Sequence, residues 1–150
     1  PWDAQPHILI IEDDRSLREI YQKALASSDY HIDAASSIAE ARRYLSTQHY
    51  DLVVCDVHIG NDQATHLLRE FSGGLIGNGC QIMMVSGEPQ YQAVCQEMGA
   101  DLFMVKPVAI STLISLIDRL TAQGIKEKQT KTTYSNQISD EVKASRKHSL

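Results

Sequence analysis

Hydrophobic and polar positions alternate in blocks along the first 120 residues. His7 to Ile11 (HILII) is a short apolar run that reads as a strand. The next block sets Leu17, Ile20, Tyr21, Ala24 and Leu25 at the i, i+3, i+4, i+7, i+8 spacing of a helix that buries one face. Tyr30 to Ala34 is a weaker strand, and Ser37-x-x-Glu40 then offers a capping box to a helix whose Ile38, Ala41 and Leu45 share a face. Asp51 to Cys55 reads as the third strand. It runs into VVCDVHIG, where an apolar run of the kind buried on both faces meets a single carboxylate, Asp56. A helix from about Asp62 to Phe71, ended by Gly73-Gly74, precedes a fourth strand at Gln81 to Val85, entered from Gly77-Asn78-Gly79. A helix near Gln90 to Met98 is stopped by Gly99, and Leu102 to Val105 forms a fifth strand. Pro107 then precedes a last helix with Ile110, Leu113, Ile114, Ile117 and Leu120 on one face.

Five strands alternating with five helices imply right-handed crossovers. The predicted fold is α/β, a single doubly wound domain with a five-stranded parallel sheet and helices on both faces. Residues 1–6 read as an N-terminal extension, 7–121 as the domain and 122–150 as a polar linker or disordered tail. The chain's charge of −5 is unevenly spread: residues 1–120 hold 16 acidic against 8 basic side chains, and the rest 3 against 6. An acidic body argues against direct nucleic-acid binding, because little there would neutralise phosphates. Cys55, Cys80 and Cys95 are an odd number without a CxxC pair, which suits reduced, buried side chains. No apolar run nears the roughly 20 residues of a membrane span and no signal peptide opens the chain, so a soluble cytoplasmic location is expected. No output module is recognisable after residue 121, which leaves a stand-alone domain or a piece of a longer protein; a start at Pro1 favours the piece.

In open sheets of this class, ligands bind beyond the carboxyl ends of the strands, where strand order reverses. Those ends carry Glu12, Asp13 and Asp14, then Asp56, Ser86 and Lys106. Carboxylates within about 4 Å repel by about 4 kcal/mol per pair at an effective dielectric near 20. A divalent cation relieves that repulsion, and oxygen ligands with open positions favour Mg2+ or Mn2+. Such an ion beside one carboxylate, one lysine and one hydroxyl suits phosphoryl transfer, which needs positioning and charge neutralisation above all. Asp56 is the candidate nucleophile, Lys106 the balance for phosphoryl oxygens and Ser86 a donor to one of them. Each residue has a plainer reading: Asp13 and Asp14 as helix caps, Ser86 as a turn residue, Lys106 as a loop lysine. Their joint placement at strand ends outweighs those readings.

The acidic cluster in IIEDD, Asp56 in VVCD, Ser86 in VSG and Lys106-Pro107 in FMVKP together resemble the receiver domain of two-component response regulators, over residues 7 to 121. The resemblance implies a CheY-like, flavodoxin-like (βα)5 fold and a phosphoacceptor switch. It makes Asp56 the phosphoacceptor and gives the metal to Glu12, Asp13, Asp56 and the backbone carbonyl of His58, with Asp14 extending the cluster. Ser86 and Phe103 become switch residues, Lys106 the phosphoryl partner, and His58 and Glu88 side chains that tune the lifetime of the phosphoryl group. It further implies a histidine kinase or histidine phosphotransfer protein as donor, an effector of unknown kind, and a partner or homodimer surface on the fourth helix, fifth strand and fifth helix. A signalling receiver is expected rather than an enzyme, limited to self-phosphorylation from a phosphodonor and slow autodephosphorylation. Departures are Gly60 and Ala64 where the family commonly has proline and glycine, and Phe103 for a frequent tyrosine. Competing readings are a metal-dependent phosphohydrolase of haloacid-dehalogenase type, whose D-x-D would need an acid at His58, and a flavodoxin-like binder of a phosphorylated cofactor, which EDDRS would repel. A non-phosphorylated pseudo-receiver is a further alternative.

Overall fold

A computed structural model describes residues 5–122 of the 150-residue chain. Three strands come first, β1 (His7–Ile11), β2 (His31–Ala35) and β3 (Leu52–Asp56); a two-residue ribbon pairs β4 (His58–Ile59) with β5 (Asp62–Gln63), and β6 (Gln81–Ser86) and β7 (Leu102–Val105) follow. The main sheet has the order β2-β1-β3-β6-β7, and every pairing in it is parallel. Its helices are α1 (Arg15–Ala26), α2 (Ile38–Thr47), α3 (Ala64–Gly77), α4 (Gln92–Glu97) behind a 3-10 turn at Pro89–Tyr91, and α5 over residues 110–122. The expected doubly wound five-stranded sheet is what forms.

Alternation within each strand divides the core in two. Leu9, Ile11, Val53, Cys55, Ile82 and Met84 pack with Ala41, Leu45, Leu67, Leu68 and Cys95 from α2, α3 and α4. Ile8, Ile10, Val54, Met83 and Val85 pack with Tyr21 and Leu25 of α1 and with Leu113 and Ile117 of α5. Every residue of β3 and of β6 is buried, as an inner strand covered on both faces requires. Strand order reverses between β1 and β3, which opens the ligand crevice beside Glu12 and Asp56.

Several expected details shift. The helix predicted from Asp62 begins at Ala64, because Asp62 and Gln63 pair back onto the ribbon and the Ala64 N–H donates to the Val57 carbonyl at 2.7 Å. It also runs through Gly73-Gly74 to Gly77, with Phe71 and Leu75 packed against the core on either side of the glycines. Glycine weakens a helix without ending it when flanking side chains are anchored. Chain reversal comes instead at Gly79, whose φ of 77° suits a residue without Cβ. Ile20, assigned to the buried face of α1, is 46% exposed, and only Tyr21 and Leu25 of that helix are fully buried. The capping box at Ser37 is half formed: Ser37 accepts the Glu40 N–H at 3.1 Å, while the Glu40 carboxylate takes the hydroxyl of Ser36 at 3.4 Å. All three cysteines are buried and none is in a disulfide, as expected. Among the described residues no helix is long and apolar enough to cross a membrane. The tail expected beyond α5, and residues 1–4 of the N-terminal extension, lie outside the described residues.

Candidate functional site

β1 carries the chain straight into Glu12 and Asp13, and β3 ends on Asp56. Because β1 and β3 pair in register up to Ile11 opposite Cys55, these acids emerge side by side. One carboxylate oxygen from each of Glu12, Asp13 and Asp56 lies within 4.8 Å of the others. Glu12 and Asp56 are 3% and 8% exposed, whereas Asp13 faces solvent. Lys106, just past β7, ion-pairs with Oδ2 of Asp56 and stands 3.8 Å from Oε1 of Glu12. Two buried carboxylates thus share one ammonium group. Burial, then the hydrogen bond and negative charge of Asp56, push the Glu12 carboxyl up to about 8. Burial pulls the Lys106 ammonium down, but Asp56 and Glu12 outweigh it and raise the net value. The pocket therefore carries more negative charge than its lysine balances, and an oxygen-only donor set open on the Asp13 side fits a hard divalent cation.

Backbone groups hold the acids in place. The Gly60 N–H donates to Oδ2 of Asp13 at 2.8 Å, and the His58 N–H to Oδ1 of Asp56 at 3.0 Å. Gly60 reaches this position with φ of 61°, a conformation that a side chain would strain. Arg18 donates from Nη1 to the carbonyls of Glu12 at 3.0 Å and Asp13 at 3.3 Å, clamping the segment that bears both acids. Asp14 does not extend the cluster. Its Oδ1 accepts the Leu17 N–H at 2.9 Å and caps α1, because it is the first residue outside that helix.

The remaining candidates form a rim. Ser86 ends β6 fully buried; its Oγ accepts the Glu88 N–H at 3.0 Å, and its carbonyl accepts the Lys106 N–H at 2.8 Å. His58 brings Nε2 to 3.5 Å from Oε1 of Glu88 and sets its ring edge-on to Tyr91, with centroids 5.1 Å apart. The Tyr91 hydroxyl accepts from Gln63 Nε2 at 3.0 Å. Phe103 lies off this group, half-buried on β7 and packed against the α2–α4 core. The structure thus gathers Glu12, Asp13, Asp56 and Lys106 and places Ser86 on a neighbouring strand end. Arg18, Gln63 and Tyr91 were not legible as neighbours of the site. Arg18 reads as an ordinary exposed position of α1, and Gln63 and Tyr91 meet only because the loops after β3 and β6 close on each other.

An open parallel sheet whose switch point holds three carboxylates against a lysine defines a class of acidic-pocket α/β domains. The response regulator receiver domain profile matches residues 8–118, and the chain belongs to that family. The protein PetR of Rhodobacter capsulatus is 29% identical over 115 residues, covering 77% of this chain and 48% of PetR. The probable transcriptional regulatory protein SilR of Salmonella typhimurium is 28% identical over 119 residues, covering 78% of this chain and 51% of SilR. The chain spans about half the length of these curated relatives. A CheY-like receiver domain protein from Methanospirillum hungatei shares the fold with a TM-score of 0.75 at 22% identity, over 82% of this chain and 98% of that one. The non-phosphorylated HemR receiver domain from Leptospira biflexa does so with a TM-score of 0.71 at 24% identity, over 78% and 94%. Receiver domains are signalling proteins of two-component systems and bind Mg2+ at an acidic pocket. The family match sets aside the dehalogenase-type hydrolase and the flavodoxin-like cofactor binder.

Proposed function

We propose that Asp56 accepts a phosphoryl group from a histidine kinase or histidine phosphotransfer protein, and that the domain thereby changes its partner-binding surface. The observation that carries this reading is the buried Asp56 carboxylate held against Lys106, with Glu12 and Asp13 within ligand distance. An Asp56 carboxylate oxygen attacks phosphorus, the bond from phosphorus to the donor breaks, and the electron pair leaves with the donor atom. An acyl phosphate results. Lys106 neutralises a phosphoryl oxygen, and Ser86 turns its hydroxyl from the Glu88 N–H toward another. Glu12, Asp13, Asp56 and the His58 carbonyl would hold Mg2+ or Mn2+, which when bound offsets negative charge on the transferring group.

Ser86 and Phe103 form the switch in this reading, with Phe103 acting through packing alone, and His58 and Glu88 tune how long the acyl phosphate survives. Moving a two-state equilibrium from 1:99 to 99:1 takes about 5.5 kcal/mol of differential stabilisation, within reach of a few charge-assisted bonds. Self-phosphorylation from a small donor and slow autodephosphorylation complete the chemistry. The domain works in the cytoplasm, and α4, β7 and α5 form the surface for an effector or a second copy.

Incubation with a small acyl or amido phosphodonor and Mg2+ should add one phosphoryl group to the intact mass. The addition should vanish in Asp56→Asn and in chelator. A folded, Mg2+-supplied protein that gains no mass would overturn the reading in favour of a non-phosphorylated pseudo-receiver.

A further inference from the structure

Two loops leave the sheet beside Asp56. β3 and β6 stay paired to their ends, the Val57 N–H donating to the Val85 carbonyl at 3.0 Å, so the segments after Asp56 and after Ser86 run out side by side. His58 follows Asp56 by two residues, Glu88 follows Ser86 by two, and their side chains meet across the crevice between the loops. Nε2 of His58 is shut off from solvent and has no hydrogen-bond partner among the described residues, standing 3.5 Å from Oε1 of Glu88. Two polar atoms bridged by a water lie about 4.5–5.5 Å apart, so this gap admits none. Gln90 Nε2 donates to the other Glu88 oxygen at 2.8 Å and holds the carboxylate in that position.

A buried, unpaired imidazole nitrogen is costly, so another group must hold His58 in this arrangement. The group in contact is Tyr91, whose ring packs against the core beneath α2–α4 and meets the imidazole edge-on, at 86° between planes. Its hydroxyl accepts from Gln63 Nε2 at 3.0 Å. Gln63 closes β5 just ahead of α3, and Tyr91 ends the 3-10 turn ahead of α4, so one hydrogen bond bridges the two loops. We propose that Gln63 and Tyr91 form a strap beside the phosphorylation site, as positioning residues that hold His58 against Glu88 and slow the entry of water. The strap presupposes the acyl phosphate on Asp56 proposed above. In its hydrolysis a water oxygen attacks phosphorus, the bond from phosphorus to the Asp56 oxygen breaks, and that electron pair returns to the carboxylate, releasing phosphate and a proton. The attacking oxygen must arrive in line, opposite the Asp56 oxygen, past the rim that His58 and Glu88 close.

The test phosphorylates the full chain with a small acyl phosphodonor and Mg2+, removes the donor and follows the loss of the phosphoryl mass with time. Tyr91→Phe keeps the ring and loses the hydroxyl, whereas Gln63→Leu loses the amide. Each should speed the decay by about two- to tenfold, the range that one lost hydrogen bond allows, while melting close to the parent. The double variant should decay no faster than the faster single one, because both remove the same bond. In a His58→Ala background, Tyr91→Phe should have no further effect. Parental decay in both single variants, multiplied effects in the double variant, or an undiminished effect without His58 would each overturn the strap. A parent chain that gains no mass overturns the reading of Asp56 and the strap with it; a normal gain with unaltered decay overturns the strap alone.

Discussion

Glu12 holds its proton to higher pH than an ordinary glutamate does. Burial and the neighbouring Asp56 raise it to about 8, above the usual carboxylate value of 4.5, so the folded protein binds more protons than the unfolded chain between those limits. Stability from this group is fully present below pH 4.5 and fades as pH rises toward 8. Thermal melts of the metal-free protein across that window should decline, and Glu12→Gln should flatten the decline. Lys106 is the opposing charge. Lys106→Ala leaves Asp56 buried without its partner and should lower stability by about 1–3 kcal/mol in urea denaturation at pH 7. If that variant melts like the parent, the ion pair is not what holds the pocket together. The pocket was legible from residue types at strand ends, because the chemistry of carboxylate and lysine is written in the letters. Which acid does what was not: Asp13 and Asp14 are adjacent and chemically alike, yet one faces the pocket and the other caps α1.

Two glycines of the same composition behave oppositely within their elements. Gly73 sits inside α3 with open space where a Cβ would go, so Gly73→Ala should stabilise the domain by about 0.5–1 kcal/mol. Gly99 follows α4 with φ of 91°, and an added Cβ would fall 2.4 Å from Cδ1 of Ile76. Gly99→Ala should therefore cost about 1–3 kcal/mol, the left-handed backbone alone accounting for about 1–2. Adding Ile76→Ala removes the clash but not the backbone strain, so a double-mutant cycle read by urea denaturation should recover only part of the loss. The periodicity located all five main strands: the buried β1, β3 and β6 leave strong apolar runs, and the half-buried edge strands β2 and β7 are marked off by the one-faced helices on either side of them. Misplaced ends arise where packing overrides a local cue: Leu75 and Phe71 hold α3 through its glycines, and the ribbon delays its start. Ile20 shows the same limit, since its spacing fits the buried stripe while the folded chain leaves it 46% exposed.

For the molecule as a whole, the two cores meet at one sheet, and the acidic pocket sits where the paired strands β1 and β3 send their following helices, α1 and α3, to opposite faces. A ligand that offsets charge there should stabilise the entire fold by mass action. Mg2+ at about 100 times its dissociation constant should add about 2.7 kcal/mol. That is several degrees in melting temperature, reversed by chelator. Asp13→Asn should shrink the gain, and a gain of unchanged size would place the stabilising ion elsewhere.

The three sheltered thiols give this architecture a built-in clock. Cys55 lies on β3, Cys80 just before β6 and Cys95 on α4, all within the core that α2–α4 cover. Burial, and then the charge of Asp56, push the Cys55 thiol far above its ordinary value, so it is inert to alkylation until the core opens. Pulsed alkylation read by mass therefore reports exposure at three separate depths in one molecule. Labels that arrive together mean that the sheet and its helices part in a single event. A label that reaches Cys95 first means that the six-residue α4 lifts away alone.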